Sequence, residues 1–188
     1  ELTIALLLTW RFWQSYGMQP LAALWSGVFH AISAYNNAGF ALNADSAVAW
    51  AADPVILGAL GLSIIIGGLG LPLIWDMRQN SIAQRSRWSL HSKITVSGIA
   101  LLLLVGFAAT AAFEWYGALA DQPWPQKLMS SAFYSVTLRT AGFNNFAMDE
   151  LANGTLVTSS VLMFIGAGSA STGGGIKVAT AMILVLIV

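Results

Sequence analysis

The chain has 188 residues, of which 57% are hydrophobic and only 9% are charged, and its mean hydropathy is +0.72. Since a soluble domain usually carries about 25% charged residues, this composition predicts a protein with several membrane spans. The net charge of zero offers nothing that attracts nucleic acid. The absence of cysteine excludes disulfides and thiolate metal sites.

Both ends of the chain lie inside apolar runs. Residues 2–9 are too few to cross a bilayer, which takes about 20 apolar residues. We therefore expect an interior piece of a longer membrane protein, starting with the end of a truncated span. Residues 10–13, Trp-Arg-Phe-Trp, then predict an interfacial anchor with Arg11 extended toward the headgroups.

A short helix and a polar turn come next. Residues 20–34 suit a helix of about 22 Å at about 1.5 Å per residue, which enters a bilayer without crossing it. Asn36-Asn37-Ala38-Gly39-Phe40 ends this helix, and a polar stretch follows at residues 43–46. Non-helical backbone at membrane depth persists only when it is buried in protein or lines a water-filled path. The segment therefore predicts a re-entrant loop.

Two full spans flank a charged linker. Residues 54–75 carry no charge, and their glycines predict close helix packing while Pro72 predicts a kink. Residues 77–93 contain Arg78, Arg85, Arg87 and Lys93, so the positive-inside rule predicts that this linker is cytoplasmic. Its charge reflects either topology alone or a docking surface for a cytosolic partner. Residues 94–113 predict the second span, which an acidic, aromatic return loop follows.

The short helix and turn then recur. Residues 126–138 suit a second short helix, and Arg139-Thr140-Ala141-Gly142-Phe143 repeats the turn. A shift of 103 residues places Gly39 on Gly142 and the two short helices on each other. Both exits are acidic, so the two units have the same orientation. Parallel repeats around an axis normal to the membrane predict a central pore.

The last apolar segment, residues 156–188, is interrupted in its middle. Residues 166–177 read Gly-Ala-Gly-Ser-Ala-Ser-Thr-Gly-Gly-Gly-Ile-Lys. Each glycine costs a helix about 1 kcal/mol relative to alanine, so the pattern predicts a helix, a flexible intramembrane loop and a second helix. The spacing of Gly168 and Gly173 superficially suits a phosphate-binding loop, but Gly-Gly-Ile-Lys follows in place of Gly-Lys-Ser/Thr.

The turns carry no carboxylate. A pore filter replaces the water around an ion with oxygen ligands, and rings of backbone carbonyls do this in potassium filters. A glycine permits the backbone angles that such a turn needs, and the C-terminal end of a short helix directs negative charge at a cation. The turns thus favour cation coordination by carbonyl groups.

These motifs resemble the Trk/Ktr/HKT potassium-transporter superfamily, close to its KtrB- and TrkH-type membrane subunits. Residues 29–40 are similar to its second pore loop, residues 135–144 to its third, and residues 166–177 to its intramembrane gating loop. The three motifs occur in the family's order and cover nearly the whole chain. Ala170 stands where the family commonly has a glycine.

The resemblance implies an all-α membrane protein in which parallel span–pore-helix–span repeats surround a central pore, two of an expected four being present here. Residues 1–76 would form pore repeat two with a truncated first span, residues 77–93 the cytoplasmic basic linker, and residues 94–188 pore repeat three with gating loop 166–177. The expected function is potassium uptake across the bacterial plasma (inner) membrane, with or without sodium coupling. Implied partners are a cytosolic nucleotide-binding regulatory ring of the KtrA or TrkA type, a second copy of the parent protein, and the lipid bilayer.

The resemblance also assigns roles to individual residues. The filter that binds K⁺ (or Na⁺) through backbone carbonyls would consist of Asn37, Ala38, Gly39, Phe40, Thr140, Ala141, Gly142 and Phe143. The gating loop would act through Gly166, Gly168, Ser169, Ser171, Thr172, Gly173, Gly174, Gly175 and Lys177. No cofactor bound by this chain is implied.

The residues alone leave two alternatives open, a non-transporting multi-span scaffold and a different cation channel. A scaffold would explain the hydrophobicity but not the repeated short helix and turn. No Ser/His pair or paired Asp lies in the spans, so we do not expect an enzyme. His30 has no second ligand at metal-binding spacing, which favours packing, and Arg139 is expected to tie down the second short helix.

Overall fold

The structure, a computed structural model, describes residues 1–80 and 87–187. Eight α-helices follow one another in this part of the chain: α1 Leu2–Tyr16, α2 Pro20–Tyr35, α3 Pro54–Gly68, α4 Leu71–Gln79, α5 Leu90–Glu114, α6 Trp124–Thr137, α7 Asn153–Phe164 and α8 Val178–Ile187. Short 3₁₀ helices lie at Val48–Trp50 and Met148–Glu150. The expectation of an all-helical chain is confirmed.

Several helix starts follow from local sequence. Pro20 occupies the first turn of α2, where its missing N–H is not needed. The Asp53 carboxylate caps α3 by accepting hydrogen bonds from the backbone N–H groups of Val55 and Ile56, and Ser89 caps α5 through the N–H of Ser92. These caps satisfy N–H groups that have no partner within the helix.

The helices form two similar units. In the N-terminal repeat, α1 packs against α2 and α3; in the C-terminal repeat, α5 packs against α6 and α7. Contacts between α3 and α6 join the two units. One apolar core fills the N-terminal repeat around Phe12, Leu60 and Ile64, and a second fills the C-terminal repeat around Tyr134, Leu138 and Leu162.

Within the described residues, α5 is by itself long and apolar enough to cross a membrane. The predicted span over residues 54–75 is different: α3 and α4 pass the same test only together, and they meet at an angle of 94°. The break lies at Leu69 and Gly70, ahead of Pro72, which begins α4 instead of kinking one long helix. The apolar run therefore holds two helices with a sharp break at Leu69 and Gly70, in place of the expected kink at Pro72.

The basic linker falls partly outside the described residues. Within residues 77–93, α4 continues to Gln79 and α5 begins at Leu90, while residues 81–86, including Arg85, lie outside the part of the chain that the structure describes.

Residues 10–13 belong to α1, in which Trp10 and Trp13 are exposed. Phe12 is fully buried in the N-terminal core, and Arg11 pairs with Asp53 across a distance of 2.8 Å between Nε and Oδ2. The sequence analysis missed this pairing because the two residues are far apart in the chain.

Candidate functional site: two turns and a glycine-rich loop

The turns that follow α2 and α6 have the same backbone conformation. Asn37 and Gly39 have φ of 49° and 72°, and Thr140 and Gly142 have φ of 64° and 78°. A shift of 103 residues superimposes these two pairs of positions. The left-handed region is unfavourable for residues with a Cβ and most unfavourable for a β-branched one such as Thr140. The repetition of an unfavourable backbone at equivalent positions indicates that the turn geometry itself is what the sequence specifies.

A hydroxyl group holds each turn from behind. Ser33 Oγ donates to the carbonyl of Phe40, and Thr137 Oγ1 donates to the carbonyl of Phe143, each over 2.7 Å. The carbonyl groups of residues 37–39 and 140–142 accept no hydrogen bond within residues 1–80 and 87–187. Because a backbone carbonyl normally has a partner, these six oxygen atoms are available as ligands.

The two turns lie directly against each other. A Cβ atom on Gly39 would lie 2.6 Å from the carbonyl oxygen of Ala141, and one on Gly142 would lie 3.2 Å from the Cα of Gly39. Their exits also meet, because the N–H of Ala47 donates to the carbonyl of Asn144 over 2.9 Å. The contact between the turns thus excludes a side chain at Gly39 and leaves little room for one at Gly142.

The glycine-rich segment between α7 and α8, residues 165–177, is a closed loop. Its ends are joined by backbone hydrogen bonds, from Gly166 N to the carbonyl of Ile176 over 2.9 Å and from Ile176 N to the carbonyl of Phe164 over 3.1 Å. Lys177 Nζ donates to the carbonyl of Gly173 over 2.6 Å. Its ammonium group thus helps to close the loop.

The loop contacts both turns. Thr172 Oγ1 donates to the carbonyl of Tyr35 over 3.0 Å and accepts from Nδ2 of Asn37 over 2.9 Å. At the other turn, the N–H of Gly174 donates to Oγ1 of Thr140 over 2.9 Å. The three predicted motifs, which are far apart in sequence, therefore form one connected site.

The loop also fits into the break between α3 and α4. Gly168 N donates to the carbonyl of Gly68 over 2.8 Å, and Thr172 N donates to that of Gly67 over 3.3 Å. Gly70 has φ of 86°, and a Cβ there would lie 2.2 Å from the carbonyl oxygen of Ser169. These glycines therefore make room for the loop, whereas the sequence analysis assigned them to packing between helices.

Arg139 is buried behind the second turn, with 5% of its surface exposed. Its Nη1 donates to the carbonyl of Ile165, the first residue of the loop, over 3.2 Å. Its Nε and Nη2 have no hydrogen-bond partner among the described residues. The guanidinium group thus binds the turn to the start of the loop, whereas the sequence led us to expect that it ties down α6.

His30 has the contacts of a packed core residue. Nδ1 lies 2.7 Å from the carbonyl of Ser26, and the ring packs against those of Phe12 and Trp50. No group of three or more metal-ligating side chains occurs among the residues that the structure describes.

A carboxylate lies at the end of each repeat where the third helix begins, here called the outer end. The sequence alone did not indicate these carboxylates. In the N-terminal repeat Asp53 accepts from Arg11 and from the Tyr16 hydroxyl. In the C-terminal repeat the fully buried Glu114 accepts from the N–H of Ala152 and from Thr155 Oγ1 at the start of α7. Arg11 and Glu114 are themselves 103 residues apart, which is the signal that could have found them.

The environment of Asp53 keeps it ionised. Burial would raise the pKa of this carboxyl, but the hydrogen bonds from Arg11 and from the N–H groups of Ile56 and Val55, with the Arg11 charge, hold its pKa below the ordinary value. The ion pair and the helix cap therefore support each other.

Comparison with known proteins agrees with a membrane transport protein built from helices. The family model described as "TrkH: Cation transport protein" matches residues 2–188. The chain therefore belongs to the TrkH family of cation transport proteins, a family of membrane transporters and not of enzymes. The resemblance to this superfamily inferred from the motifs is confirmed.

Individual relatives have a similar character. The chain is 37% identical over 186 residues to "Ktr system potassium uptake protein B" of Bacillus subtilis (strain 168), covering 98% of this chain and 41% of that protein. It is 37% identical over 175 residues to the protein of the same name from Vibrio alginolyticus, covering 92% of this chain and 38% of that one. It is 36% identical over 165 residues to "Potassium/sodium uptake protein NtpJ" of Enterococcus hirae, covering 87% of this chain and 36% of that protein.

The fold has a solved counterpart. The crystal structure of the potassium transporter TrkH from Vibrio parahaemolyticus matches with a TM-score of 0.74 at 21% identity, over 98% of this chain and 38% of that one. The chain thus spans 36–41% of the length of the three relatives named above.

Proposed function

We propose that this chain forms pore repeats two and three of a bacterial potassium uptake protein that has four such repeats around one pore. In this proposal the N-terminal repeat supplies Asn37, Ala38, Gly39 and Phe40 to the selectivity filter, and the C-terminal repeat supplies Thr140, Ala141, Gly142 and Phe143. The carbonyl groups of these residues replace the hydration shell of K⁺. The observation that carries the proposal is the contact between two turns of the same unusual backbone, with six carbonyl groups unpaired.

Phe40 and Phe143 are the last residues of the two turns. Each of their carbonyl groups accepts one hydroxyl hydrogen bond, but a carbonyl oxygen has two lone pairs. The hydroxyl groups of Ser33 and Thr137 thus fix the orientation of the last carbonyl and leave one lone pair for the ion.

The glycine-rich loop is the proposed gate. Residues 166–177 lie between the two turns and the break between α3 and α4, and they bond to all three. An obstacle held by hydrogen bonds to the groups around it can move without the helices unfolding. A cytosolic nucleotide-binding ring of the KtrA or TrkA type would drive that movement, acting on a homodimer whose linker, residues 77–93, faces the cytoplasm of the bacterial cell. One relative is named a potassium/sodium uptake protein, which supports Na⁺ beside K⁺ as a transported ion in this proposal.

Flux measurements in liposomes test this function. The full-length protein that carries this segment should take up rubidium, and Gly39→Ser should weaken its discrimination against sodium. The substitution places a Cβ where the backbone of the second turn lies. Gly142→Ser should act in the same direction but less severely, since its nearest neighbour, the Cα of Gly39, would lie 3.2 Å away.

Gly17→Ser is the matched control. Gly17 also has a positive φ, 63°, but a Cβ there would meet nothing within 4 Å. This variant carries the same backbone strain outside the proposed filter and should keep wild-type selectivity. A full-length protein without rubidium flux would support the scaffold alternative, and unchanged selectivity in Gly39→Ser would show that Gly39 does not face the ion.

A further inference from the structure

Asn37 and Thr140 hold the glycine-rich loop at two places. They occupy equivalent positions of the two turns, and both have a positive φ. The Asn37 amide donates to Thr172 Oγ1, and Thr140 Oγ1 accepts from the N–H of Gly174, each over 2.9 Å. The two turns therefore use the same position to contact loop residues two apart in sequence.

These side chains differ from those that build the turns. The hydroxyl groups of Ser33 and Thr137 bond to carbonyl groups of their own turn. The side chains of Asn37 and Thr140 instead form hydrogen bonds with the loop. The Oδ1 atom of Asn37, a residue that is only 9% exposed, has no partner in the described part of the chain. If the Asn37 side chain served only to stabilise the turn, its amide would form hydrogen bonds within the turn. The hydrogen bond to the loop therefore explains the orientation of this amide.

Thr172 connects the loop to two parts of the N-terminal repeat at once. Its Oγ1 accepts from Asn37 and donates to the carbonyl of Tyr35, the last residue of α2. This carbonyl lies at the C-terminal end of the short helix, where backbone acceptors lack partners within the helix. Removal of the hydroxyl group therefore breaks two hydrogen bonds, whereas removal of the Thr140 hydroxyl breaks one.

We propose that Asn37 and Thr140 are positioning residues that form a two-point latch, which keeps loop 165–177 closed through Thr172 and Gly174. The proposal rests on the proposed function of this loop as the gate. Since the latch residues are part of the turns, opening the loop also frees the side chains next to the unpaired carbonyl groups. Each point contributes separately to the equilibrium between the closed and open loop.

Chemical labelling of the loop tests the latch without relying on transport. Ser171→Cys in the full-length protein, on a background without other cysteines, reports loop opening through its rate of reaction with a hydrophilic methanethiosulfonate reagent. One lost hydrogen bond should raise this rate roughly fivefold in Thr140→Val, and two lost bonds should raise it roughly 25-fold in Thr172→Val. The double variant should show the product of the two effects, because the points are separate.

Two further variants serve as controls. Ser160→Ala removes an exposed hydroxyl of α7 that, within the described part of the chain, bonds to the carbonyl of Leu156 in its own helix, so it should leave the labelling rate unchanged. Thr172→Ser keeps the hydroxyl and should retain most of the protection, which a purely steric role of Thr172 would not predict.

Rubidium flux, measured in parallel, should rise in the order of the labelling rates. Labelling of Thr140→Val and Thr172→Val at the wild-type rate, with wild-type melting temperatures, would overturn the latch. Faster labelling without any rubidium flux in the wild-type protein would support the latch and would contradict the proposed transport function instead.

Discussion

At the outer ends of the two repeats, equivalent positions carry side chains of opposite charge, and both contribute to the hydrogen bonding at the start of the third helix. At one position of the repeat the N-terminal unit has Arg11, which pairs with the helix-capping Asp53. The C-terminal unit has Glu114 there, which binds the start of α7 directly. In both repeats a carboxylate accepts hydrogen bonds at the start of the third helix. In the N-terminal repeat this carboxylate belongs to the residue that caps the helix, and in the C-terminal repeat it belongs to the last residue of the first helix. Repeat symmetry thus preserves the hydrogen-bonding requirement and not the residue type.

The turns differ between the repeats in a second way. Phe143 is fully buried in the core of the N-terminal repeat, whereas its equivalent Phe40 is 69% exposed. The C-terminal turn is therefore anchored in the neighbouring unit, and the N-terminal turn has no such neighbour within this chain.

The largest expected effect tests this anchoring. Phe143→Ala should lower the free energy of unfolding by about 3–5 kcal/mol, because it removes a fully buried aromatic ring. Phe40→Ala is the matched variant. If a preceding repeat covers Phe40 in the full-length protein, both variants should lower the apparent melting temperature in detergent by similar amounts. A loss confined to Phe143→Ala would contradict the expectation of an adjoining repeat on that side.

A smaller effect distinguishes the two outer ends. Glu114→Ala leaves the N–H of Ala152 and the hydroxyl of Thr155 unpaired in a buried site, which should cost roughly 2–4 kcal/mol. Arg11→Met should cost less, about 1–2 kcal/mol, since the buried Asp53 carboxylate, 5% exposed, loses one charged donor but keeps the N–H groups of α3 and the Tyr16 hydroxyl. Apparent melting temperatures of both variants measure the difference. Equal losses of stability would show that the Arg11–Asp53 ion pair and the buried hydrogen bonds of Glu114 contribute equally to the free energy of unfolding.

The pH dependence gives an independent check on the Arg11 variant. The pKa of Asp53 is held below its ordinary value, so its contribution to stability is present above about pH 4. It is lost as the pH falls through the lowered pKa. Arg11→Met should therefore narrow the difference between melting temperatures at neutral and acidic pH.

The smallest effect concerns the loop, where the two repeats differ most. The break in the N-terminal repeat is two residues long, and its counterpart is the loop of residues 165–177. Ala170 has φ of 53°, in the region that glycine adopts freely. Ala170→Gly should relieve about 1 kcal/mol of backbone strain in the closed loop and so slow the labelling of the Ser171→Cys probe. Faster labelling would show that chain flexibility outweighs this strain.

Much of the architecture could be predicted from the sequence. Proline at helix starts, glycine and asparagine at helix ends, and uncharged runs of known length predicted α2, α5, α6 and the interruption between α7 and α8, because these signals act over a few residues. The 103-residue repeat placed the two turns in register. Their φ values agree position by position.

The sequence by itself thus determined α2, α5 and α6, the two turns, their repetition and the family. Only the tertiary structure decided that α3 and α4 meet at 94°, that the loop lies in this break, and that Arg11 and Glu114 hold the outer ends. Each of these features is held by contacts between residues far apart in the chain, such as those of Gly67 and Gly68 with the loop. Such contacts depend on the packing of whole helices, and periodicity and local propensity carry no information about them.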